Sequence, residues 1–155
     1  MDAEFWHARW QENHIGFHLQ ETNPLLVRYW PVPRTAPGDN ILVPLCGKSL
    51  DMLWLLDQGY RVTGVEISRI AVEAFFAENS LVPDIDQAGA FTRYRCDELN
   101  ILCGDFFSLA RNTAGDIAAV YDRASLIALP PAMRAAYAAL LASLVGAGTH
   151  CLRCS

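Results

Sequence analysis

The segment from residue 41 to residue 66 constrains the fold more than any other part of this chain. The apolar run at 41–43 predicts a strand that ends at a turn, after which Ser49 and Asp51 open a helix. A second apolar strand follows and ends on the carboxylate of Glu66. Strand, turn, helix, strand and acidic tip are the layout of a nucleoside-binding βαβ unit. One carboxylate accepts hydrogen bonds from both hydroxyls of a ribose, so Glu66 is a candidate ribose ligand.

Composition narrows the class of protein. A chain of 155 residues with 52% hydrophobic and 19% charged residues is expected to form one globular domain. The net charge of −5 argues against nucleic acid as a main partner, because phosphate binding needs a basic face. No apolar run reaches the roughly 18–20 residues that a membrane span needs, so we expect no membrane partner.

The cysteines and histidines indicate a reduced protein without a metal. Five cysteines make an odd count, and most fall in predicted strands, which favours a cytoplasmic location over a disulfide framework. The CxxC at Cys151 and Cys154 has no second pair, so we interpret it as buried strand residues. Gly16 lies between His14 and His18 and favours a loop there, which argues against a metal site formed by these two residues and His7.

Helices and strands are predicted to alternate along most of the chain. The predicted helices are 4–13, 24–30, 49–58, 69–79 and 130–145; the strands are 40–44, 61–66, 91–95, 100–103, 116–121 and 149–154, with a loop at 80–90. Alternation of this kind predicts a doubly wound α/β fold, a parallel sheet with helices on both faces. Ligands of such sheets bind at the carboxyl ends of the strands, which here are Leu45, Glu66, Asp105 and Asp122-Arg123.

The turn after the first strand distinguishes between nucleotides. Gly47-Lys48-Ser49 is similar to a phosphate-binding loop, but that loop needs a glycine at position 42, which is Leu. A dinucleotide turn needs three glycines, and this turn has one. The turn therefore favours a ligand without a pyrophosphate, and S-adenosylmethionine is such a ligand.

Six motifs, in order along nearly the whole chain, resemble the thiopurine S-methyltransferase family. They are Phe5-Trp6-x-x-Arg9-Trp10, Gly16-Phe17-His18, Val43-Pro44-Leu45-Cys46-Gly47-Lys48-Ser49-x-Asp51-Met52, Gly64-Val65-Glu66-Ile67-Ser68, Cys103-Gly104-Asp105-Phe106-Phe107 and Tyr121-Asp122-Arg123. The resemblance implies a Rossmann-like, S-adenosylmethionine-dependent methyltransferase fold in one domain over residues 1–155. Residues 1–38 would form a helical cap over the cofactor, and residues 39–155 would form the core sheet.

The resemblance also implies roles for individual residues. Trp10 would cover the methionine end of the cofactor, where an indole face near a sulfonium is a cation–π arrangement. Leu45 would contact the cofactor through its backbone, and Glu66 would hold the ribose hydroxyls. Asp105 and Phe106 would flank the adenine.

On the acceptor side, Arg123 would lie beside the cofactor and the incoming sulfur, as the candidate catalytic residue, and Phe17 would line the acceptor pocket. Simpler roles stay open for several of these residues. Trp10 could fasten a helix to the core, Glu66 could be a solvated strand end, and Phe106 could be core alone. Arg123 could form a surface ion pair with Asp122.

The implied reaction is methyl transfer from S-adenosylmethionine to a sulfur, in a thiopurine or another aromatic or heterocyclic thiol. Family members in bacteria are associated with detoxification of tellurite and selenite, so a metalloid is an alternative acceptor. The family's sheet continues beyond the strand at 149–154 with a two-stranded hairpin, so we expect a fold lacking its last two strands. The complete fold would be a monomer. Two rivals are a non-catalytic cofactor-binding remnant and a nucleotide-dependent oxidoreductase.

Overall fold

The fold is a seven-stranded sheet with helices on both faces, in a computed structural model that describes residues 36–46, 48–123, 131–144 and 150–154. The strands are β1 (Asn40–Pro44), β2 (Arg61–Glu66), β3 (Asp84–Ala88), β4 (Phe91–Cys96), β5 (Leu99–Cys103), β6 (Ala119–Arg123) and β7 (His150–Cys154). The helices are α1 (Asp51–Asp57), α2 (Arg69–Glu78), α3 (Arg111–Ala114) and α4 (Pro131–Leu144), with a 3-10 turn at Phe106–Ser108.

The strand order across the sheet is β3-β4-β5-β2-β1-β6-β7. The five strands from β5 to β7 are parallel, and β4 and β3 complete one side as antiparallel strands. The predicted doubly wound α/β fold is therefore confirmed. The chain runs outward from β1 to β2 on one side and later crosses from β5 to β6 on the other side of β1, so the order reverses between β1 and β6.

Two predictions about the strands are wrong. Residues 84–88, predicted as part of a loop, form the edge strand β3, which pairs antiparallel with β4. The strand predicted at 116–121 lies instead at 119–123. The carbonyl of Asp116 accepts a hydrogen bond from the side chain of Asn40, so this residue belongs to the loop that precedes β6.

The local signals for the central helices are confirmed. Ser49 Oγ accepts a hydrogen bond from the backbone N–H of Asp51, the first residue of α1. Ser68 caps α2 by accepting from the N–H of Ala71. Each bond satisfies an amide that has no partner within its helix. Ser68 is the N-cap of α2, whereas the N-cap position of α1 is Leu50, which makes no side-chain cap bond.

Two apolar clusters, one on each face of the sheet, make the core. One is built around α1 and α2 and includes Val62, Phe75 and Tyr121; the other includes Phe106 and Tyr137 of the face covered by α4. These large side chains are fully buried, and each contributes on the order of 1.5–3 kcal/mol by leaving water. The sheet is thereby held rigid behind the carboxyl ends of its strands.

Glycine at position 64 allows α1 to lie close to β2. A Cβ atom built on Gly64 would lie 2.9 Å from Met52 Sδ and 3.0 Å from Cys46 Sγ, too close for either contact. The absence of a side chain therefore lets the turn after β1 and the first turn of α1 pack directly on β2.

The predicted cap at 1–38 falls almost wholly on residues 1–35. These lie outside the described residues, as do the predicted helices 4–13 and 24–30.

Candidate functional site

Four predicted site positions lie at one edge of the sheet. Leu45 follows β1, Glu66 ends β2, Asp105 follows β5 and Arg123 ends β6, and these strands are neighbours in the parallel part of the sheet. Backbone hydrogen bonds continue past the strand ends, from Cys46 N–H to the Val65 carbonyl (2.9 Å) and from Gly104 N–H to the Glu66 carbonyl (3.0 Å). The carboxyl edge is where ligands of open α/β sheets bind.

The turn after β1 is built on Leu45, which has a φ of 50°. This left-handed conformation is ordinarily taken by glycine, and a residue with a Cβ pays on the order of 1–2 kcal/mol to adopt it. Strained backbone of this kind clusters at ligand sites. Leu45 therefore makes the sharp turn that a dinucleotide-binding sheet makes with glycine.

Lys48 forms an ion pair with Glu78. Its Nζ lies 2.7 Å from Glu78 Oε2 at the end of α2, and the lysine side chain is only 13% exposed. This pairing explains why the Gly-Lys-Ser sequence does not mark a phosphate-binding loop here. The ammonium fastens the turn after β1 to α2.

Glu66 is buried at the end of β2, so the description of a solvated strand end does not fit it. Its Oε2 accepts a hydrogen bond of 2.8 Å from the N–H of Ser68. A carboxylate has about four acceptor positions, so it can accept from several donors at once. The bond also fixes the rotamer, which orients the carboxylate before any ligand arrives.

Two thiols flank Glu66 on the neighbouring strand ends. Burial, and then the negative charge of Glu66, raises the pKa of Cys103 to about 11. Burial is also the main reason that the pKa of the Cys46 thiol lies well above its usual range, with Glu66 again the next cause. Because the thiolate is the nucleophilic form of cysteine, these shifts argue against either thiol as a nucleophile near neutral pH.

The two residues predicted beside adenine differ in exposure. Asp105 is exposed and caps the 3-10 turn, with Oδ1 accepting from the N–H of Phe107 at 3.0 Å. Phe106 is fully buried, with its ring centroid 5.3 Å from that of Tyr137 and 6.2 Å from that of Phe107. The structure thus gives Phe106 a clear role in the core. Its contact with a cofactor stays a prediction.

At the end of β6, Asp122 is buried and its Oδ2 accepts from Tyr137 Oη of α4 at 2.9 Å. Asp122 is therefore a buried carboxylate and not a surface one. The backbone of Arg123 pairs with Cys154 of β7, which places it at the carboxyl edge.

The sequence interpretation gave no role in the site to Asp51 or Tyr121, although both stand in the motifs that carry the resemblance. Tyr121 Oη donates to Asp51 Oδ2 at 2.7 Å, and both residues are buried. The sequence shows that both motifs contain a polar residue, but it does not show that these two residues contact each other.

The remaining predictions lie partly outside the described residues. Trp10 and Phe17 both fall in residues 1–35. Within the described ranges, no cluster of three or more His, Cys, Asp or Glu side chains could hold a metal ion. No helix in the described part of the chain combines the length and apolar character that crossing a membrane requires.

Solved structures with the same fold are S-adenosylmethionine-dependent methyltransferases. The glycopeptide N-methyltransferase MtfA, complexed with S-adenosyl-L-methionine, aligns with a TM-score of 0.66 at 18% identity, over 88% of this chain and 55% of its own. A TehB-like SAM-dependent methyltransferase from Corynebacterium glutamicum aligns with a TM-score of 0.58 at 17% identity, over 97% of this chain and 71% of its own. The fold is therefore the Rossmann-like fold of this class.

The family is shown by sequence. Residues 1–155 match the family Thiopurine S-methyltransferase (TPMT). A thiopurine S-methyltransferase of Pseudomonas entomophila is 58% identical over 141 residues, which are 91% of this chain and 65% of that protein. One from Azotobacter vinelandii is 50% identical over 148 residues, 96% of this chain and 68% of that protein. The chain belongs to the thiopurine S-methyltransferase family, and it spans about two thirds of the length of these relatives.

Proposed function

We propose that this chain binds S-adenosylmethionine at the carboxyl edge of its sheet and that its protein transfers the methyl group to a sulfur. The observation that best supports this proposal is that the left-handed turn at Leu45 and the buried, oriented carboxylate of Glu66 lie on neighbouring strand ends. The turn suits a ligand without a pyrophosphate, and the carboxylate suits a ribose. Family membership supports the same cofactor, as does the S-adenosyl-L-methionine complex of MtfA, which has this fold.

In the proposed mechanism, the bound cofactor supplies an activated methyl group on a sulfonium. Glu66 holds the ribose, and the backbone at Leu45 fixes the cofactor against β1. Trp10 covers the sulfonium, while Asp105 and Phe106 flank the adenine. Alignment of the two sulfurs across one carbon is the main contribution of the protein.

On the acceptor side, Arg123 stabilises an anionic thiol, because a guanidinium is always charged and binds anions through a planar fork. Phe17 lines the acceptor pocket. Aromatic thiols and heterocyclic thiones are already partly ionised near neutral pH, so no strong general base is required. The raised thiol pKa values of Cys46 and Cys103 agree with a mechanism that uses no cysteine nucleophile.

The proposed acceptor is a small thiopurine or another aromatic thiol, with tellurite or selenite as the alternative. The proposed setting is a cytoplasmic monomer, without nucleic acid, membrane or metal partners. Competition between an aromatic thiol and each oxyanion for labelled methyl groups would decide which acceptor the protein prefers.

Calorimetric titration with S-adenosylhomocysteine tests the cofactor first. We expect micromolar affinity, a binding free energy of about −7 to −8 kcal/mol. Tight binding of a nicotinamide dinucleotide, with none of S-adenosylhomocysteine, would favour the oxidoreductase instead. Methyl transfer from labelled S-adenosylmethionine to an aromatic thiol is measured separately, because binding without transfer would identify a cofactor-binding domain.

A further inference from the structure

The candidate site spans the junction between β1, which leads to Leu45, and β6, which ends at Arg123. Parallel pairing there is confined to Ile41 with Ala119 and Leu42 with Val120. On the outer sides pairing continues further, since β1 pairs with β2 as far as Pro44 and β6 pairs with β7 as far as Arg123. The ladder between β1 and β6 therefore stops before the carboxyl ends that carry Leu45 and Arg123. A crevice at this reversal of strand order is where doubly wound folds bind ligands.

A side-chain hydrogen bond spans this junction where the backbone pairing has stopped. Tyr121, in β6, donates from Oη to Oδ2 of Asp51, the first residue of α1, at 2.7 Å. The distance is in the range of a charge-assisted O–H···O⁻ bond. Tyr121 is 0% exposed and Asp51 is 2% exposed. A buried carboxylate and hydroxyl are expensive to leave without partners, so the bond fixes the separation of the two elements.

On the β1 side, the bond holds a segment whose backbone is strained. Leu45 is left-handed, and only five residues lie between it and Asp51. The segment between them is fastened to β2 by the Cys46 amide and to α2 by Lys48. Asp51 adds the attachment to β6. A strained conformation persists only when the surrounding structure determines it from several directions.

On the β6 side, the bond belongs to a pair that fixes the strand end from both faces. Tyr121 is bonded to α1 on one face, and the next residue, Asp122, accepts from Tyr137 of α4 on the other. Arg123 follows directly. Of these two bonds, the one from Tyr121 reaches the segment that carries Leu45.

We propose that Asp51 and Tyr121 are positioning residues for the cofactor: their hydrogen bond sets the distance between the turn at Leu45 and the strand end at Arg123. This inference rests on the proposed function, since it assigns both sides of the junction to one cofactor site. Neither residue needs to touch the ligand. A methyl transferase gains from such a device because small errors of alignment are costly in an in-line displacement.

The test is a set of variants titrated with S-adenosylhomocysteine well below their melting temperatures. Tyr121→Phe keeps the ring and removes the hydroxyl, and Asp51→Ala removes the acceptor. Each is expected to weaken binding by about three- to tenfold, the usual range for coupling through a network. The double variant is expected to be no weaker than either single variant, because both remove the same bond. Asp51→Asn keeps an oxygen acceptor and should recover part of the affinity lost in Asp51→Ala.

Tyr137→Phe is the matched control. It removes a hydroxyl that donates to a buried aspartate, as Tyr121→Phe does, but its bond does not reach the turn at Leu45. We expect a similar fall in melting temperature and a clearly smaller loss of affinity than in Tyr121→Phe, because the Tyr137 bond holds the β6 side of the junction alone. A purely structural role for Tyr121 would lower the melting temperature in both variants and leave both affinities alike.

Wild-type affinity in Tyr121→Phe and in Asp51→Ala would overturn the inference, as would equal losses in Tyr121→Phe and Tyr137→Phe. If Tyr121→Phe does not fold, the comparison of Asp51→Ala with Asp51→Asn decides, and equal wild-type affinity in both again overturns it. A wild-type chain that binds no S-adenosylhomocysteine would instead contradict the proposed function.

Discussion

Lys48 and Glu78 form an ion pair of 2.7 Å that joins the turn after β1 to the end of α2. The lysine side chain is mostly buried and the glutamate is half exposed, so the pair is partly screened by solvent. We expect Glu78→Gln to reduce the free energy of unfolding by about 1 kcal/mol or less, and the loss to shrink at high salt. Denaturant unfolding at low and high salt measures it. A loss that does not depend on salt would contradict a screened ion pair.

Because Leu45 is left-handed, we expect a glycine variant at this position to be more stable than an alanine variant, the reverse of the usual order in a helix. At an ordinary helical position such as the exposed Ala135 of α4, glycine is less stable than alanine by about 0.5–1 kcal/mol. At position 45, Leu45→Gly should be more stable than Leu45→Ala by about 1 kcal/mol, because glycine adopts a φ of 50° without strain. Both variants lose the same packing, so their difference isolates the backbone.

Denaturant midpoints of the two Leu45 variants, with Ala135→Gly as the control, provide the measurement. If Leu45→Ala is the more stable of the two, the turn is not left-handed in solution.

Glu66→Gln is expected to weaken cofactor binding by roughly 1.5–3 kcal/mol, because glutamine keeps the shape but loses charge-assisted bonds to the ribose. Glu98→Gln is the matched control, since Glu98 is an exposed glutamate that pairs with Arg61 away from the carboxyl edge. Calorimetry with S-adenosylhomocysteine should detect the loss only in Glu66→Gln. An unchanged dissociation constant in a folded Glu66→Gln variant would remove Glu66 from the ribose site.

The same variant has a second readout that does not require a ligand. The negative charge of Glu66 is the second cause, after burial, of the raised pKa of Cys103. Removing that charge in Glu66→Gln should lower the Cys103 pKa, which thiolate absorbance or alkylation rate against pH would report. An unmoved titration would mean that the two side chains are further apart than in this structure.

The thiols also predict a loss of stability in alkali. The pKa of Cys103 is about 11 in the folded chain and 9.0 for an unperturbed thiol, so folding favours the protonated form. Its contribution is fully present below pH 9.0 and is lost as the pH rises through about 11. Denaturant midpoints should therefore fall across this window, and Cys103→Ala should fall less steeply than wild type. Parallel slopes for the two proteins would contradict this assignment.

The sequence predicts the βαβ unit well because its signals are local. Apolar strands, the Ser68 cap and the acid at the end of β2 all lie within a short segment, and the structure has them where the sequence indicates. Strand β3 was missed for a physical reason. It is an edge strand with mostly exposed residues, and its aspartates are residues that are common in turns. Asp86 in fact pairs with Arg93 across the hairpin, with Nη2 and Oδ2 2.6 Å apart.

The sequence predicted where the candidate residues lie in the sheet, but not how they are connected. Leu45 and Glu66 lie at strand ends as expected, because a parallel sheet brings such ends together. The bond between Asp51 and Tyr121 depends on two residues 70 positions apart, and no local pattern states which polar residues meet across a sheet. Phe106 shows the same limit, since a motif cannot distinguish an aromatic residue of the core from one that faces a ligand.

The position of β1 in the sheet has a consequence for the order in which the chain folds. Strands β3, β4 and β5 are consecutive and pair with each other in sequence, whereas β1 must wait for β6, which is far along the chain. Closing a long loop costs entropy before its contacts form, so such pairings tend to come late. In pulse-labelled hydrogen exchange during refolding, amides of β6 should become protected after those of β4 and β5, and simultaneous protection would contradict this order. The junction between β1 and β6 would then be among the last regions of the described chain to form, and a nascent or partly refolded molecule would have its hairpin before it could hold a ligand.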